Sequence, residues 1–382
     1  MTPQFAAHSS SPRVRPTRPV RALFVIPSLR TGGAERVFTT LLNEFACSDM
    51  DLHLAVLQRE GQFFDELSTK VQVHNLSVRR SIHSFLPLLN LVRRLRPDVV
   101  FATTLRLNLV VTLLKPLMPA GTRIVIREIK AHDELLGVGV RASSIQTLAR
   151  FAFRGAHAIV CQSQSLKADL QRTCRSELAH AHAIPNPVDI DAIAARSRHE
   201  NPFAGQGPGP HVVAVGALER KKGVDRLIDA FPSLLHKRPH AILWLVGDGR
   251  EAPRLAAQAD ALGIRDRVRF VGKQRNPYPW MRSADVFVLA SRVEGMPNVL
   301  LEALACECPV VVLDHPGGTR DVMRETGQEW RVVRDLTAWD DSWFERPPPD
   351  VLQAVRNVFE RRIVVDQYRR VLIGADAISD AA

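Results

Sequence analysis

Arg21-Ala-Leu-Phe-Val-Ile-Pro-Ser-Leu-Arg-Thr-Gly-Gly-Ala-Glu35 opens on an unbroken apolar run and passes through paired glycines toward a helix. Arg21 to Ile26 reads as a buried strand, and Ala34 to Phe45 carries its apolar residues at helical spacing. Gly32 and Gly33 therefore stand at the amino end of a helix, where free backbone N–H groups can approach an anion or a sugar closely. No Walker or G-x-G-x-x-G pattern accompanies them, so the loop alone names no ligand.

Outward from this unit the chain keeps alternating. Leu52 to Leu57, Asp98 to Ala102, Arg123 to Ile126 and Ala158 to Cys161 read as strands, with helices between them, such as Phe85 to Leu95. A Pro/Gly-rich stretch, Asn201-Pro-Phe-Ala-Gly-Gln-Gly-Pro-Gly-Pro210, interrupts the pattern as a linker would. The alternation then restarts: strands at His211 to Val215, Ala241 to Val246, Val268 to Val271, Val286 to Leu289 and Pro309 to Leu313, helices at Val224 to Leu235, Ala252 to Leu262 and Val299 to Cys306. This predicts an α/β protein of two Rossmann-like, doubly wound domains facing a cleft. The expected division is a disordered basic arm over 1–20, a first domain over 21–190, a linker over 191–210, a second domain over 211–350, and a carboxyl-terminal helix within 351–382 that returns to the first domain.

The 382 residues, 46% of them hydrophobic, agree with a prior of roughly two or three domains and exclude a single small module. Net charge is +11 and unevenly placed: 24 basic and 14 acidic residues up to position 190, 27 and 26 beyond it. An anionic partner for the first half, nucleic acid or an acidic membrane surface, is one explanation; a merely soluble basic face is the other. Five cysteines, Cys47, Cys161, Cys174, Cys306 and Cys308, form no C-x-x-C and no disulfide framework, which suits a reducing compartment. His180-Ala-His182 lacks the spacing of a helical metal site, so no protein-bound metal and no cofactor are expected. The first 20 residues have no apolar core of a signal peptide, and the longest apolar candidate, Leu107 to Leu114, stops at Lys115 and Pro116. Any contact with a membrane would be from the side.

Two more loops follow strands on the side where such sheets bind ligands. Gly216-Ala-Leu-Glu-Arg-Lys-Lys-Gly223 carries three consecutive cations, which a solvated charge run also explains. Ser291-Arg-Val-Glu-Gly-Met-Pro-Asn-Val-Leu-Leu-Glu302 enters a helix whose first turn holds Pro297. Glu294 and Glu302, eight residues apart, cannot share a proton but can grip two separated polyhydroxy parts of one ligand, with the helix amino terminus between them facing a phosphate. That suits a nucleotide sugar; two ordinary surface glutamates would be the plainer reading of the pair alone.

Taken together, Gly32-Gly-Ala-Glu35, Asn186-Pro187, the Gly216 to Gly223 loop ending in Lys222-Gly223, Val246-Gly-Asp-Gly249, Phe270-Val-Gly272 and the Glu294-x7-Glu302 element resemble the ordered motifs of the family 4 retaining glycosyltransferases, over roughly residues 21 to 325. The resemblance implies the two-domain GT-B fold and retaining hexosyl transfer from a nucleoside diphosphate sugar; a UDP-sugar is expected ahead of a GDP-sugar, and no metal is expected because no Asp-x-Asp motif stands on a suitable loop. It implies that Glu302 hydrogen-bonds the ribose, that Glu294 contacts hydroxyls of the transferred sugar, that Lys222 holds the diphosphate, that Gly33 approaches the sugar-phosphate, and that Val271, Gly272 and Lys273 meet the base. Gly32, Gly216, Lys221, Gly247, Gly295, Met296, Pro297, Asn298 and Val299 complete the expected donor site. Many relatives place Arg after the first loop glycine where this chain has Ala217, which leaves Arg220 or Lys221 to supply that charge; Glu294, Lys222 and Arg220 are the expected catalytic set. Relatives also often carry a His at the end of a first-domain strand. Here the stretch is Ile126-Arg-Glu-Ile-Lys130, with His132 slightly late, so Arg127, Glu128 and His132 are assigned to the acceptor side.

Cleaving the bond from anomeric carbon to phosphate leaves charge on the diphosphate, so preorganised donors there are what catalysis needs. In a front-face retaining reaction the leaving phosphate can take the acceptor's proton; a nucleophilic Glu294 is the alternative. The acceptor expected is a lipid-linked glycan or other envelope polysaccharide, met by a cytoplasmic enzyme peripheral on the inner membrane face. Arg79 to Arg96 supports this as a basic amphipathic helix, with Phe85, Leu88, Leu89, Val92 and Leu95 on one stripe, although the same stripe would serve a helix packed on the sheet. A nucleic-acid partner is not expected: aromatics are 6% of residues and only two are Tyr. Closer rivals are an inverting GT-B transferase and a nucleotide-sugar epimerase.

Overall fold

The computed structural model describes residues 18–30, 32–128 and 140–374. Its first sheet has seven strands, β1 (Val20–Ile26), β2 (Met50–Val56), β3 (Gln72–Asn75), β4 (Val99–Thr103), β5 (Arg123–Glu128), β6 (Ala158–Cys161) and β7 (Ala181–Ala183), in the order β3-β2-β1-β4-β5-β6-β7. All pairings are parallel. The second sheet is parallel as well, in the order β10-β9-β8-β11-β12-β13, from β8 (His211–Val215), β9 (Ile242–Val246), β10 (Val268–Gly272), β11 (Val286–Leu289), β12 (Val310–Leu313) and β13 (Val332–Val333). The strand order reverses beside β1 and beside β8, so each sheet has its switch-point crevice at the end of the strand that feeds a glycine loop. Two Rossmann-like layers built this way are the GT-B architecture.

Helices α1 (Gly33–Phe45), α2 (Phe85–Leu95), α3 (Leu105–Leu114), α4 (Val140–Gly155) and α5 (Gln164–Cys174) cover the first sheet. On one face Phe24, Phe38 and Phe101 pack with ring centroids 4.9 to 5.5 Å apart, fixing α1 over β1 and β4. On the other, Leu88, Leu89 and Val92 of α2 are buried against the sheet. The apolar stripe between Arg79 and Arg96 is therefore core, not a bilayer-facing surface: the uncovered sheet face demanded those residues first. Only Ile82 and Leu86, 73% and 66% exposed, stand out at the edge of α2.

Two boundaries differ from expectation. The segment read as a linker from 191 starts inside α6 (Ile190–Ser197), whose Asp189 cap accepts from the Ala192 N–H at 3.0 Å. Ile190, Ile193 and Phe203 join the core of the second domain, so 188–203 belongs there; the Pro/Gly run that follows had masked that helical spacing. The second domain continues with α7 (Val224–Lys237), α8 (Ala252–Ala261), α9 (Tyr278–Ser283), α10 (Asn298–Ala305) and α11 (Thr319–Glu325). The returning helix is in fact two. In α12 (Pro349–Phe359), Val351, Val355 and Phe359 stay on the second domain beside α10, while in α13 (Arg361–Ile373), Val364, Tyr368, Val371 and Leu372 pack on the first, near Phe101. Glu360 breaks the helix between them, its carboxylate capping the Arg361 N–H at 3.0 Å.

Both crossings between domains thus lie side by side. Val188 exchanges backbone hydrogen bonds of 2.9 Å with Phe359 and Arg361, and the Arg361 guanidinium reaches Asp189 at 2.7 Å and Glu44 at 3.1 Å. The expected basic arm falls mostly on residues 1–17, which lie outside the described residues; Arg18 to Val20, however, are ordered, with Arg18 bidentate on Asp98 and Val20 opening β1. Among the described residues, no helix is long and apolar enough to cross a membrane.

Candidate functional site

Between the carboxyl ends of the two sheets, α1 and α10 point their amino termini at one another. Gly32 is the cap of α1 with no side-chain hydrogen bond, and a Cβ added to Gly33 would lie 3.3 Å from Asn298 Nδ2 on α10. Gly33 thus lies against the first turn of α10, and the partial positive ends of both helices face one narrow gap. The Glu35 carboxylate folds back over Gly32, complementing the α1 terminus.

The second wall is the Gly216 to Gly223 loop. Gly216 and Gly247 have φ of 147° and 152°, and Gly247 packs directly on the Gly216 carbonyl; a side chain there would push the loop off β9. A 3-10 turn over Arg220–Lys222 ends at Gly223, in the left-handed region with φ 64°, which starts α7. This turn separates the three cations. Lys222 points inward, Nζ donating to Glu294 Oε1 at 2.6 Å, with both side chains mostly buried. Lys221 turns away to Glu219 at 2.9 Å, and Arg220 is exposed, its carbonyl accepting from Arg292. Of the expected phosphate and catalytic cations, the structure brings only Lys222 to the carboxylates; Arg220 and Lys221 lie on the outer side of the turn.

Glu294 is held through one carboxylate oxygen and through its backbone. Ser291 Oγ donates to the same Oε1 at 2.8 Å, and the Glu294 backbone bridges to Gly317, with Gly318 N–H reaching the Gly295 carbonyl at 2.9 Å. His315, in the same turn, has its ring nitrogens on the Leu313 carbonyl at 2.7 Å and Thr319 Oγ1 at 2.8 Å; burial keeps its pKa below the ordinary histidine value, so it is a neutral strut. Met296 and Pro297 are buried, the Met296 sulfur meeting the Asn186 N–H at 3.2 Å, and Val299 packs against the second-domain core. Val271 and Gly272 end β10, and Lys273 Nζ crosses the cleft to Gln62 Oε1 at 3.4 Å.

Glu302, one turn and a half into α10, also meets the opposite domain: Arg36 Nη1 donates to its Oε1 at 3.1 Å. Arg36 and Gln62 are residues that sequence reasoning missed. Arg36 directly follows the Gly-Gly-Ala-Glu motif, which was the available signal; Gln62 carried none. Burial drives the Glu302 carboxyl above its ordinary range, and Arg36 offsets this only in part. A raised folded-state pKa means that stability present below the unfolded value, about 4.3, is lost as pH rises through the folded value. Glu302→Gln should therefore melt higher than wild type at pH 7, with the gap closing toward pH 4, while weakening nucleotide binding; equal melting curves at both pH values would refute it.

The acceptor-side assignments fare differently. Arg127 and Glu128, at the end of β5, are 0% and 1% exposed, so they are interior groups that an acceptor does not touch. A strand end under the crevice is closed over by the Asn186 turn and α13, which alternating patterns do not reveal. His132 lies outside the described residues. Among the described residues no cluster of three metal-ligating side chains occurs. A cavity of about 710 Å3 lies at the opposite, amino ends of the first sheet, lined by Arg18, Asp98, Arg123 and His157, away from every loop above.

Models of two families match the chain in tandem, "Glycosyltransferase Family 4" over residues 31–192 and "Glycosyl transferases group 1" over 209–342. The lipopolysaccharide core biosynthesis glycosyltransferase LpsD of Rhizobium meliloti is 30% identical over 320 residues, covering 80% of this chain and 79% of LpsD. The chain belongs to the family 4 glycosyltransferases. A Campylobacter jejuni N-acetylgalactosaminyltransferase named for a diphospho-undecaprenol acceptor is 27% identical over 78% of this chain and 81% of its own. Among solved structures, Anabaena HepE with UDP-glucose superposes with a TM-score of 0.75 at 18% identity, covering 93% of this chain and 99% of HepE. This glycosyltransferase thus carries the family's motifs on the loops where the GT-B cleft lies.

Proposed function

We propose that this glycosyltransferase moves a sugar, with retention and without a metal, from a UDP-sugar to a lipid-linked glycan or other polysaccharide acceptor of a bacterial envelope. The observation that carries the reading is the Lys222–Glu294 pair, 2.6 Å apart beside the amino terminus of α10. A cation and open helix N–H groups suit a leaving diphosphate, and a carboxylate beside them suits the hydroxyls of the sugar being released. Among the described residues, both bonds to Glu294 fall on Oε1, which leaves Oε2 for a ligand hydroxyl. In this reading Glu302, now held by Arg36, takes the ribose once Arg36 moves aside.

For the reaction, charge developing on the diphosphate is met by Lys222 and by the termini of α1 and α10, and the leaving oxygen itself accepts the proton of the incoming hydroxyl on the same sugar face. A nucleophilic Glu294 is the weaker reading, because hydrogen bonds from Lys222 and Ser291 draw charge from the whole delocalised carboxylate and make it a poorer nucleophile at either oxygen. The uridine donor is favoured by HepE, solved with UDP-glucose, and the acceptor by the undecaprenol-linked and lipopolysaccharide-core relatives. Exposed Ile82 and Leu86 beside Arg79, Arg80, Arg93 and Arg94 favour contact with an anionic inner leaflet; flotation on neutral and anionic liposomes alike would refute it.

The decisive experiment is transfer from a panel of UDP- and GDP-sugars, with the product's anomeric configuration read by NMR. Retention, undiminished by EDTA, and a larger thermal shift with UDP than with GDP are the expected results; at 100 times Kd a bound ligand stabilises by about 2.7 kcal/mol. An inverted product, or an epimerised sugar without transfer, would replace the reading.

A further inference from the structure

A buried chain of hydrogen bonds runs behind the cleft. Tyr368 Oη, on α13, accepts from Arg127 Nε at 2.9 Å; Arg127 Nη2 donates to Asn186 Oδ1 at 2.7 Å; and Asn186 Nδ2 donates to Asn298 Oδ1 at 2.6 Å, at the first residue of α10. Tyr368, Arg127 and Asn186 are all at most 2% exposed. Asn108 Nδ2 fixes the Arg127 carbonyl at 3.0 Å, and the Asn186 N–H meets the Met296 sulfur, so the chain is anchored at both its strand and its loop. It joins three elements that no sheet connects: the returning helix, the first-domain strand β5, and the helix of the second domain that faces Gly33.

We propose that Arg127 is a positioning residue: by bridging Tyr368 and Asn186 it holds Asn298, and with it the amino-terminal turn of α10, in register with α1. The physical case rests on what else could do this. Asn298 lies on a helix of eight residues whose cap, Pro297, makes no side-chain hydrogen bond, so local structure alone fixes its first turn weakly. A guanidinium offers rigidly forked donors that meet two acceptors at once, and a buried charge left half-bonded is costly, so the chain forms as a unit or not at all. The charge is also permanent and sits beneath the terminus where a diphosphate's charge would develop. Docking of α13, from the far end of the chain, thereby sets the geometry at the cleft.

The test uses the full chain and two readouts, the second of which rests on the transferase reading above. Tyr368→Phe removes one oxygen and keeps the ring; Arg127→Lys keeps the charge but not the fork. Hydrogen exchange of the amides from Leu300 to Leu304 should quicken at least fivefold in both variants, with amides of β9 and α8 unchanged. In transfer assays kcat should fall about tenfold, a loss of about 1.4 kcal/mol, with donor KM within threefold of wild type. Combining Tyr368→Phe with Asn186→Ala should cost little more than the worse single change. Wild-type exchange at Leu300 to Leu304 in both variants overturns the proposal, as does a kcat loss that merely tracks the folded fraction. If wild type transfers from no donor, the function proposed above fails while the exchange result still decides the role of Arg127.

Discussion

Glu294→Gln should lower transfer by about 10²–10³-fold while nucleoside diphosphate binding stays within a few-fold of wild type. The substitution keeps the shape of the side chain and the bond from Ser291, but it removes the charge that Lys222 approaches at 2.6 Å. A neutral amide grips sugar hydroxyls less tightly as positive charge grows on the anomeric carbon, so the loss falls on the transition state rather than on binding. Lys222→Met should cost as much in rate and also weaken the diphosphate, since this ammonium is the cation of its loop that faces the cleft. The two residues form one ion pair beside one breaking bond, so the double variant should be scarcely worse than either single one. Single-turnover rates with binding measured in parallel decide the matter. Full activity in Glu294→Gln would remove the residue from the reaction; a loss confined to nucleotide affinity would move it to the ground state.

What the sequence disclosed and what it withheld follow from the range of each signal. The strands beneath the site are short, mostly buried apolar runs, so β1, β8, β11 and the glycine turns after them are legible from local pattern alone, whereas the pairing of β1 with β4 and of β8 with β11 is not. The edge strand β3, Gln72–Asn75, was not, because its polar residues carry no alternation strong enough to separate from a loop. The triplet Arg220-Lys-Lys222 read as one positive patch, yet a single 3-10 turn sends Lys221 and Lys222 to opposite sides. Arg36 and Arg127 show the deeper limit. Each finds its partner more than fifty residues away, Arg36 on Glu302 and Arg127 on Asn186 and Tyr368, and only the closing of two domains and the return of α13 creates those contacts. The family resemblance puts a reacting group near that strand end and so assigns Arg127 to the acceptor side. In the fold it is fully buried, on Tyr368 and Asn186.

A second large effect is expected at a residue with no side chain to lose. Gly317→Ala should abolish transfer nearly as fully as Glu294→Gln while leaving a folded protein. Gly317 has φ 115°, outside the range an L-residue readily adopts, and a Cβ there would be driven into the Glu294 carbonyl. The opposing carbonyl is backbone and cannot rotate away, so either the Asp314 to Gly318 turn or the Glu294 loop must shift, and the bridge between Glu294 and Gly317 breaks. Misplacing a positioned group by about 1 Å is enough to cost about a hundredfold in rate. Gly327→Ala is the matching control. Its φ of 66° makes Ala strained as well, but nothing lies within 4 Å of the added methyl, so it should lose about 1–2 kcal/mol of stability and no activity. Urea melts and transfer rates on the two variants separate the effects: comparable losses of stability with activity lost only at Gly317 would locate the damage in the Glu294 loop, whereas equal activity in both would mean that the loop tolerates the displacement and that Glu294 is held by Lys222 and Ser291 alone.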